Sequence, residues 1–159
     1  MTRPIYIIDG YNLIRRTPAL NRPGASLEDH RRGLLSKLSG FRAASRAMCL
    51  VVFDGTDLAG QTASSGGGVK VVFSRKPSTA DDVIKRLVDQ EKNKGHVTVV
   101  TSDNEIMWYA KASGCGVMSA ETFYERIRSR ESDDRPEKKS DPQLSQREIN
   151  DWKKLFDIE

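Results

Sequence analysis

Carboxylates stand at four places in the chain where a strand hands over to a loop or a helix begins. Asp9 ends the apolar run Ile5 to Ile8, Asp54 ends Cys49 to Phe53, and Asp103 ends His96 to Ser102. Asp81 and Asp82 open a helical stretch announced by Pro77 and Ser78. Gly10 permits a sharp turn directly after Asp9, so that Asp9 and Asn12 can face one small volume; a plain polar turn is the alternative. Acids in a first helical turn also have an alternative reading, because the helix dipole favours them in any protein. At about 100° per residue, Val83, Ile84, Leu87 and Val88 define the buried face of that helix. Asp81 then lies roughly a quarter turn from the centre of this face and Asp82 nearly opposite, which makes Asp81 the better placed of the two.

Carboxylates crowded into one crevice at neutral pH repel one another, and a divalent cation is the usual remedy. A set of oxygen ligands without His or Cys suits Mg²⁺ or Mn²⁺ better than Zn²⁺. In a basic protein this combination suits phosphodiester hydrolysis, in which metal ions activate water and stabilise the pentavalent transition state. Asn12, Thr101 and Ser102 are candidates to orient the water or hold a phosphate oxygen. Tyr11 either stacks on an exposed base or fills the sheet edge.

The elements that must bring these acids together read as β-α-β-β-α-β-α-β-α. The first, second and fourth strands are short apolar runs of the kind buried on both faces of a parallel sheet. The third is Val69 to Phe73 and the fifth Gly116 to Ser119. Right-handed crossovers and the simplest doubly wound topology give the strand order 3-2-1-4-5, an α/β three-layer fold with helices on both faces. This order sets the first strand between the second and fourth and collects Asp9, Asp54, Asp81 and Asp103 at the carboxyl edge.

Ser26 with Asp29 approximates a capping box ahead of a helix whose Leu27, Leu34, Leu38 and Phe41 share a face. Arg15 to Gly24 reads as a polar loop. Ser78 or Thr79 caps the helix of Asp81, and Lys94-Gly95 closes it. Asp103 caps a helix over Asn104 to Ser113, stopped by Gly114, and Ala120 to Arg130 forms another. Ser64 to Gly68 (S-S-G-G-G) sits in a loop over 56–68 that lacks the Gly-Lys-Ser/Thr of a phosphate-binding P-loop. From Ser129 to Gln143 nine of fifteen residues are charged and none is large and apolar, which suits a solvated linker. Ser145 to Phe156 then reads as an amphipathic helix with the stripe Ile149, Trp152 and Phe156, docking on its own domain or on a partner. The expected organisation is a domain over 1–130, a linker over 131–143 and a terminal helix over 144–159.

The chain has 159 residues, enough for one domain with a single core. Hydrophobic residues make up 37% and charged ones 30%, and no run of about 18 apolar residues is present. No membrane association is expected, no signal peptide is visible, and the expected location is cytoplasmic. Cys49 and Cys115 both lie in predicted strands and read as buried reduced thiols. His30 and His96 lack ligand-spaced partners. The net charge of +4 is compatible with a polyanion. It becomes directional if Arg15, Arg16, Arg22, Arg31, Arg32, Arg75 and Lys76 gather at one mouth.

The motifs I-I-D-G-Y-N-L-I, V-V-F-D-G, S-T-A-D-D-V-I and V-V-T-S-D-N-E, in this order over about residues 4 to 130, resemble the YacP-like NYN family of PIN-fold ribonucleases. The resemblance implies a PIN-like fold and metal-dependent endoribonuclease activity on single-stranded RNA, with mRNA on the ribosome as one context. By motif position it gives Asp9, Asn12, Asp81 and Asp103 the acidic-site roles, with Asp9, Asp81, Asp82 and Asp103 as candidate metal ligands. Asp54, Thr101, Ser102 and Glu105 stand around them, and Tyr11, Arg15, Arg16, Arg75 and Lys76 are candidates for RNA contact.

Other readings meet specific obstacles. A haloacid-dehalogenase-type phosphatase needs a second Asp where this chain has Tyr11. A receiver-like switch needs paired acids by the first strand and a Lys ending a late one. A dinucleotide binder needs a glycine-rich turn, and Gly10 stands alone. A non-catalytic RNA-binding module that keeps the fold is the remaining alternative.

Overall fold

A computed structural model describes residues 3–55 and 69–133. The loop over 56–68 and the linker and helix expected beyond 133 lie outside the described residues. Five parallel strands run β1 (Ile5–Asp9), β2 (Met48–Phe53), β3 (Val69–Phe73), β4 (Val97–Val100) and β5 (Gly116–Met118), in the order β3-β2-β1-β4-β5 expected from the sequence. The helices are α1 (Gly10–Arg16), α2 (Leu27–Ser45), α3 (Ala80–Gln90), α4 (Asn104–Ser113) and α5 (Ala120–Asp133).

The central strands are apolar in both directions because each sheet face is covered. Ile8, Val51 and Val100 join Leu34, Leu38, Phe41, Phe123 and Ile127 on the face of α1, α2 and α5. Ile7, Val52 and Val99 join Val83, Ile84, Val88, Ile106 and Ala110 under α3 and α4. Three rings, Tyr6, Phe41 and Phe123, lock the first layer at centroid distances of 5.2 to 5.5 Å. Cys49 and Cys115 are buried and free, and burial pushes the Cys49 thiol up to about 12, so it stays protonated.

Two departures from the sequence reading have physical causes. The stretch after Asp9 is a seven-residue helix, where the sequence suggested a turn and then a loop from Arg15. It begins with Gly and has no side-chain cap, so propensity argues against it at about 1 kcal/mol. Leu13 and Ile14, however, are 0% and 3% exposed, and burying each contributes about 1.5–3 kcal/mol, so packing decides. At the other end α5 passes the expected boundary at Arg130 and continues to Asp133. Charge there suggested a linker, but Glu131 accepts from Lys37 Nζ of α2 at 3.0 Å, which ties the last turn to the fold.

The helix starts were legible. Ser26 accepts from Asp29 N at 3.1 Å, and Thr79 with Asp82 completes a reciprocal capping box. Asp103 caps α4, and Gly114 ends it in the left-handed conformation at φ 99°. His96 falls in a single 3₁₀ turn before β4, and β4 closes at Val100, so Thr101 and Ser102 belong to the loop that leaves the sheet.

Candidate active site

Asp9 is the last residue of β1 and occupies the N-cap position of α1 without capping it, so its carboxylate remains available to the crevice. Gly10 is required by close approach. A Cβ there would run into the Phe53 ring, with Cδ1 at 2.6 Å, and Phe53 is fully buried. Asp9 Oδ2 accepts from the hydroxyl of Thr101, a fully buried residue, at 3.1 Å. The same Thr101 oxygen accepts from Asp103 N at 3.0 Å. One hydroxyl thus joins the carboxyl end of β1 to the start of α4.

Asp103 spends one carboxylate oxygen on its helix, accepting from Glu105 N at 2.9 Å and Ile106 N at 3.1 Å through Oδ1. Asn12 is 8% exposed, and its Oδ1 accepts from Ser102 N at 2.8 Å. The side chain therefore fixes the loop between β4 and α4. The Ser102 hydroxyl donates to Glu121 Oε1 at 2.8 Å and accepts from Ala120 N at 3.2 Å. A backbone hydrogen bond, the Ser102 hydroxyl and the Arg16 guanidinium hold the Glu121 carboxyl below its usual range.

Burial pushes the Asp9 carboxyl from 3.8 up to about 6; the Thr101 hydrogen bond and Arg15 oppose this, while the Asp81 and Asp103 carboxylates add to it. Asp81 is half-buried at the start of α3 and is also raised, first by desolvation and then by Asp103 and Glu105, against Lys85. Asp9, Asp81 and Asp103 therefore act on one another electrostatically. Among the described residues no three acidic, His or Cys side chains are gathered closely enough to make a finished metal cage. The trio nevertheless fits a hard divalent cation by its chemistry: its donors are all oxygen, and a desolvated carboxylate lies among like charges.

The remaining acids are engaged elsewhere. Asp82 is exposed, with Oδ2 accepting from Thr79 N at 3.1 Å. Asp54 accepts from the Ser74 hydroxyl at 2.6 Å and lines a cavity of about 770 Å³ with Lys76, Ser78 and Thr79. Glu105 pairs with Lys85 at 2.8 Å.

Among the basic and aromatic candidates, Arg15 is exposed and bears on Asp9, whereas Arg16 stands 3.6 Å from Glu121. The Tyr11 ring packs on Phe53 at 4.9 Å and its hydroxyl accepts from Arg31 Nη1 at 2.8 Å, which is the sheet-edge arrangement. Arg75 and Lys76 are exposed beyond β3. Arg22 is met through its carbonyl, 3.0 Å from the His30 ring, and Arg32 pairs with Glu28 at 2.9 Å.

Sequence reasoning passed over Glu121 and Lys85. Glu121 had a readable signal, an acid opening the helix after a strand, as Asp103 does. Lys85 had none, because its place depends on how α3 meets α4.

A search of curated proteins by sequence finds no match. Among solved structures, Rae1 (YacP) from Bacillus subtilis superposes with a TM-score of 0.70 at 24% identity, over 96% of this chain and 90% of that one. Its W164L mutant gives 0.68 at 26% identity, over 81% of this chain and 77% of that one. The sequence profile of the YacP-like NYN domain matches residues 6–157, past the 4–130 covered by the four motifs. The chain therefore belongs to the YacP-like NYN domain family, within the PIN-like nucleases.

Proposed function

We propose that the protein is a metal-dependent endoribonuclease that hydrolyses phosphodiester bonds of single-stranded RNA, with ribosome-associated mRNA as one context. The observation that carries this reading is the mutual influence of Asp9, Asp81 and Asp103 around a carboxyl raised to about 6, in a chain of a nuclease family. Mg²⁺ or Mn²⁺ would be held by these three carboxylates, and when bound would supply an activated water and charge stabilisation at the phosphate. Thr101 fixes Asp9 relative to Asp103, and Asn12 fixes the loop that carries Asp103. Arg15, Arg75 and Lys76 hold backbone phosphates as exposed cations. Asp82 and Glu105 stay in their cap and ion pair, outside the trio.

The second reading, an RNA-binding module without turnover, draws on the absence of a finished cage among the described residues. End-labelled single-stranded RNA incubated with Mn²⁺ or Mg²⁺ separates the two, with Asp103→Asn and EDTA as controls. The nuclease reading expects metal-dependent products with 5′-phosphate ends, lost in the variant. Equal cleavage by wild type and variant refutes the site. Binding by both without cleavage favours the module and makes ribosome-bound mRNA the substrate that decides.

A further inference from the structure

Three rings stand in a row at the carboxyl edge of the sheet, on the face covered by α2. Tyr11 packs on Phe53 at 4.9 Å, and Phe53 on Phe73 at 5.8 Å. The Arg31 guanidinium spans the two ends of this row. Its Nη1 donates to the Tyr11 hydroxyl at 2.8 Å, and its central carbon stands 5.9 Å from the Phe73 ring centroid. Arg31 differs from its neighbour Arg32 in what neutralises it. Arg32 is exposed and takes both acids of the first turn of α2, Glu28 at 2.9 Å and Asp29 at 3.5 Å. Arg31 is half-buried, and among the described residues no carboxylate pairs with it. Of its several N–H donors only the one on Tyr11 is used among the described residues. None of the others is a buried orphan, so they are open to a ligand.

We infer that Arg31 binds a backbone phosphate of the RNA strand on the α2 side of the sheet edge, across from the acids, with Tyr11 and Phe73 positioning its guanidinium. The inference rests on the RNA reading above and adds the direction in which the strand leaves the acids. A half-buried cation held only by a hydroxyl and a ring keeps its charge uncompensated, and an anion is the ligand that compensates it. The planar fork matches two phosphate oxygens, and holding it in place beforehand reduces the freedom lost on binding. Asp9 acts with Asp81 of α3, on the opposite face, so a strand with its scissile phosphate at the acids reaches Arg31 by passing over the end of β1. The span is short. Tyr11 follows Asp9 by two residues, so their Cα atoms are at most about 7.6 Å apart. Exposed Arg15, on the same helix as Tyr11, and exposed Arg75, two residues after Phe73, take neighbouring phosphates, which favours a strand over a single ion.

The test uses the full chain in EDTA, so that binding is read without cleavage. Phenylglyoxal labels arginines, and peptide mass spectrometry reads each one. A single-stranded RNA of about ten nucleotides is expected to protect Arg31 and leave Arg32 labelled. Inorganic phosphate at the same phosphate concentration is expected to protect Arg31 far less. Fluorescence anisotropy with the same RNA compares wild type with Arg31→Ala, Arg31→Lys and Tyr11→Phe. Arg31→Ala is expected to bind about tenfold more weakly, with the salt slope reduced by about one. Arg31→Lys keeps the charge and the slope but loses the fork, and Tyr11→Phe keeps the ring but frees the guanidinium; each should bind about threefold more weakly. Protection is read on the wild type, so it decides even if Arg31→Ala does not fold. Absence of protection, protection of Arg31 and Arg32 alike, or unchanged binding by Arg31→Ala and Arg31→Lys overturns the inference even if wild type cleaves RNA with metal. Equal protection by inorganic phosphate assigns the site to a free anion and also overturns it. Protection of Arg31 by an RNA that is not cleaved when metal is added keeps the contact and removes the nuclease reading.

Discussion

The Thr101 hydroxyl donates to Asp9 Oδ2 at 3.1 Å and accepts from the backbone N–H of Asp103 at 3.0 Å. Two acids 94 positions apart in the chain are thereby held by one buried oxygen. The donated bond favours the charged form of Asp9 and opposes the burial that raises it. Thr101→Val keeps the shape and removes both bonds. The Asp9 carboxyl then rises further above about 6, and the acid limb of the pH–rate profile moves to higher pH. The unpaired Asp103 N–H costs about 1–3 kcal/mol of stability. A pH–rate profile and a thermal melt read the two effects separately, and an unmoved acid limb refutes the role given to Thr101.

Stability should depend on pH through Asp9. Its folded carboxyl lies near 6 against 3.8 unfolded, so the folded state holds the proton more tightly. The contribution to stability is complete below the unfolded value and is lost as pH rises through about 6. The difference corresponds to about 3 kcal/mol. In EDTA, Asp9→Asn should therefore raise the melting temperature at pH 7.5 relative to wild type and leave it nearly unchanged at pH 4. Mn²⁺ at pH 7.5 should raise the melting temperature of wild type and do less for the variant. Equal melting of the two proteins at both pH values would refute the buried charge.

The strand order and the helix caps at Ser26, Thr79 and Asp103 were legible because each has a local signature. Helical phase set Asp81 nearer the buried face than Asp82; in the structure Asp81 is half-buried, and the exposed Asp82 accepts from Thr79 N in the capping box of α3. What stayed hidden depends on contacts between distant segments. The helix α1 forms because Leu13 and Ile14 are buried beneath α2 and α5, which no feature of G-Y-N-L-I-R-R announces. Asn12 was read as a candidate to orient water; that its Oδ1 accepts from Ser102 N and so fixes the loop after β4 depends on a contact 90 positions along the chain. For Tyr11 the sequence left a base stack and a sheet-edge ring open, and the contacts with Phe53 and Arg31 are those of the sheet-edge ring.

Gly10 tests the packing beneath the site. Its missing Cβ is the space taken by the Phe53 ring, so Gly10→Ala forces two rigid groups together and should destabilise by about 1–3 kcal/mol. Phe53→Leu in the same chain should recover part of this loss, because the shorter side chain withdraws the ring atoms. Urea unfolding of the two single variants and the double variant reads the coupling. Additive effects would show that the ring is not the obstacle.

Asn12 tests whether the loop after β4 is held for catalysis or only for stability. In Asn12→Ala the Ser102 N–H loses its acceptor, and about 1–3 kcal/mol of stability goes with it. Asn12→Asp retains an acceptor oxygen at nearly the same place and adds a negative charge close to Asp9 and Asp103. Stability at pH 7.5 should fall less in Asn12→Asp than in Asn12→Ala if the hydrogen bond is the main role. Activity separates the remaining possibilities. A loop held for positioning predicts that Asn12→Asp keeps more metal-dependent cleavage than Asn12→Ala, with a lower Mn²⁺ requirement because the extra negative charge attracts the cation. If Asn12→Asp is as inactive as Asn12→Ala while remaining folded, the amide group itself, and not the carbonyl bond to Ser102, is what the reaction requires.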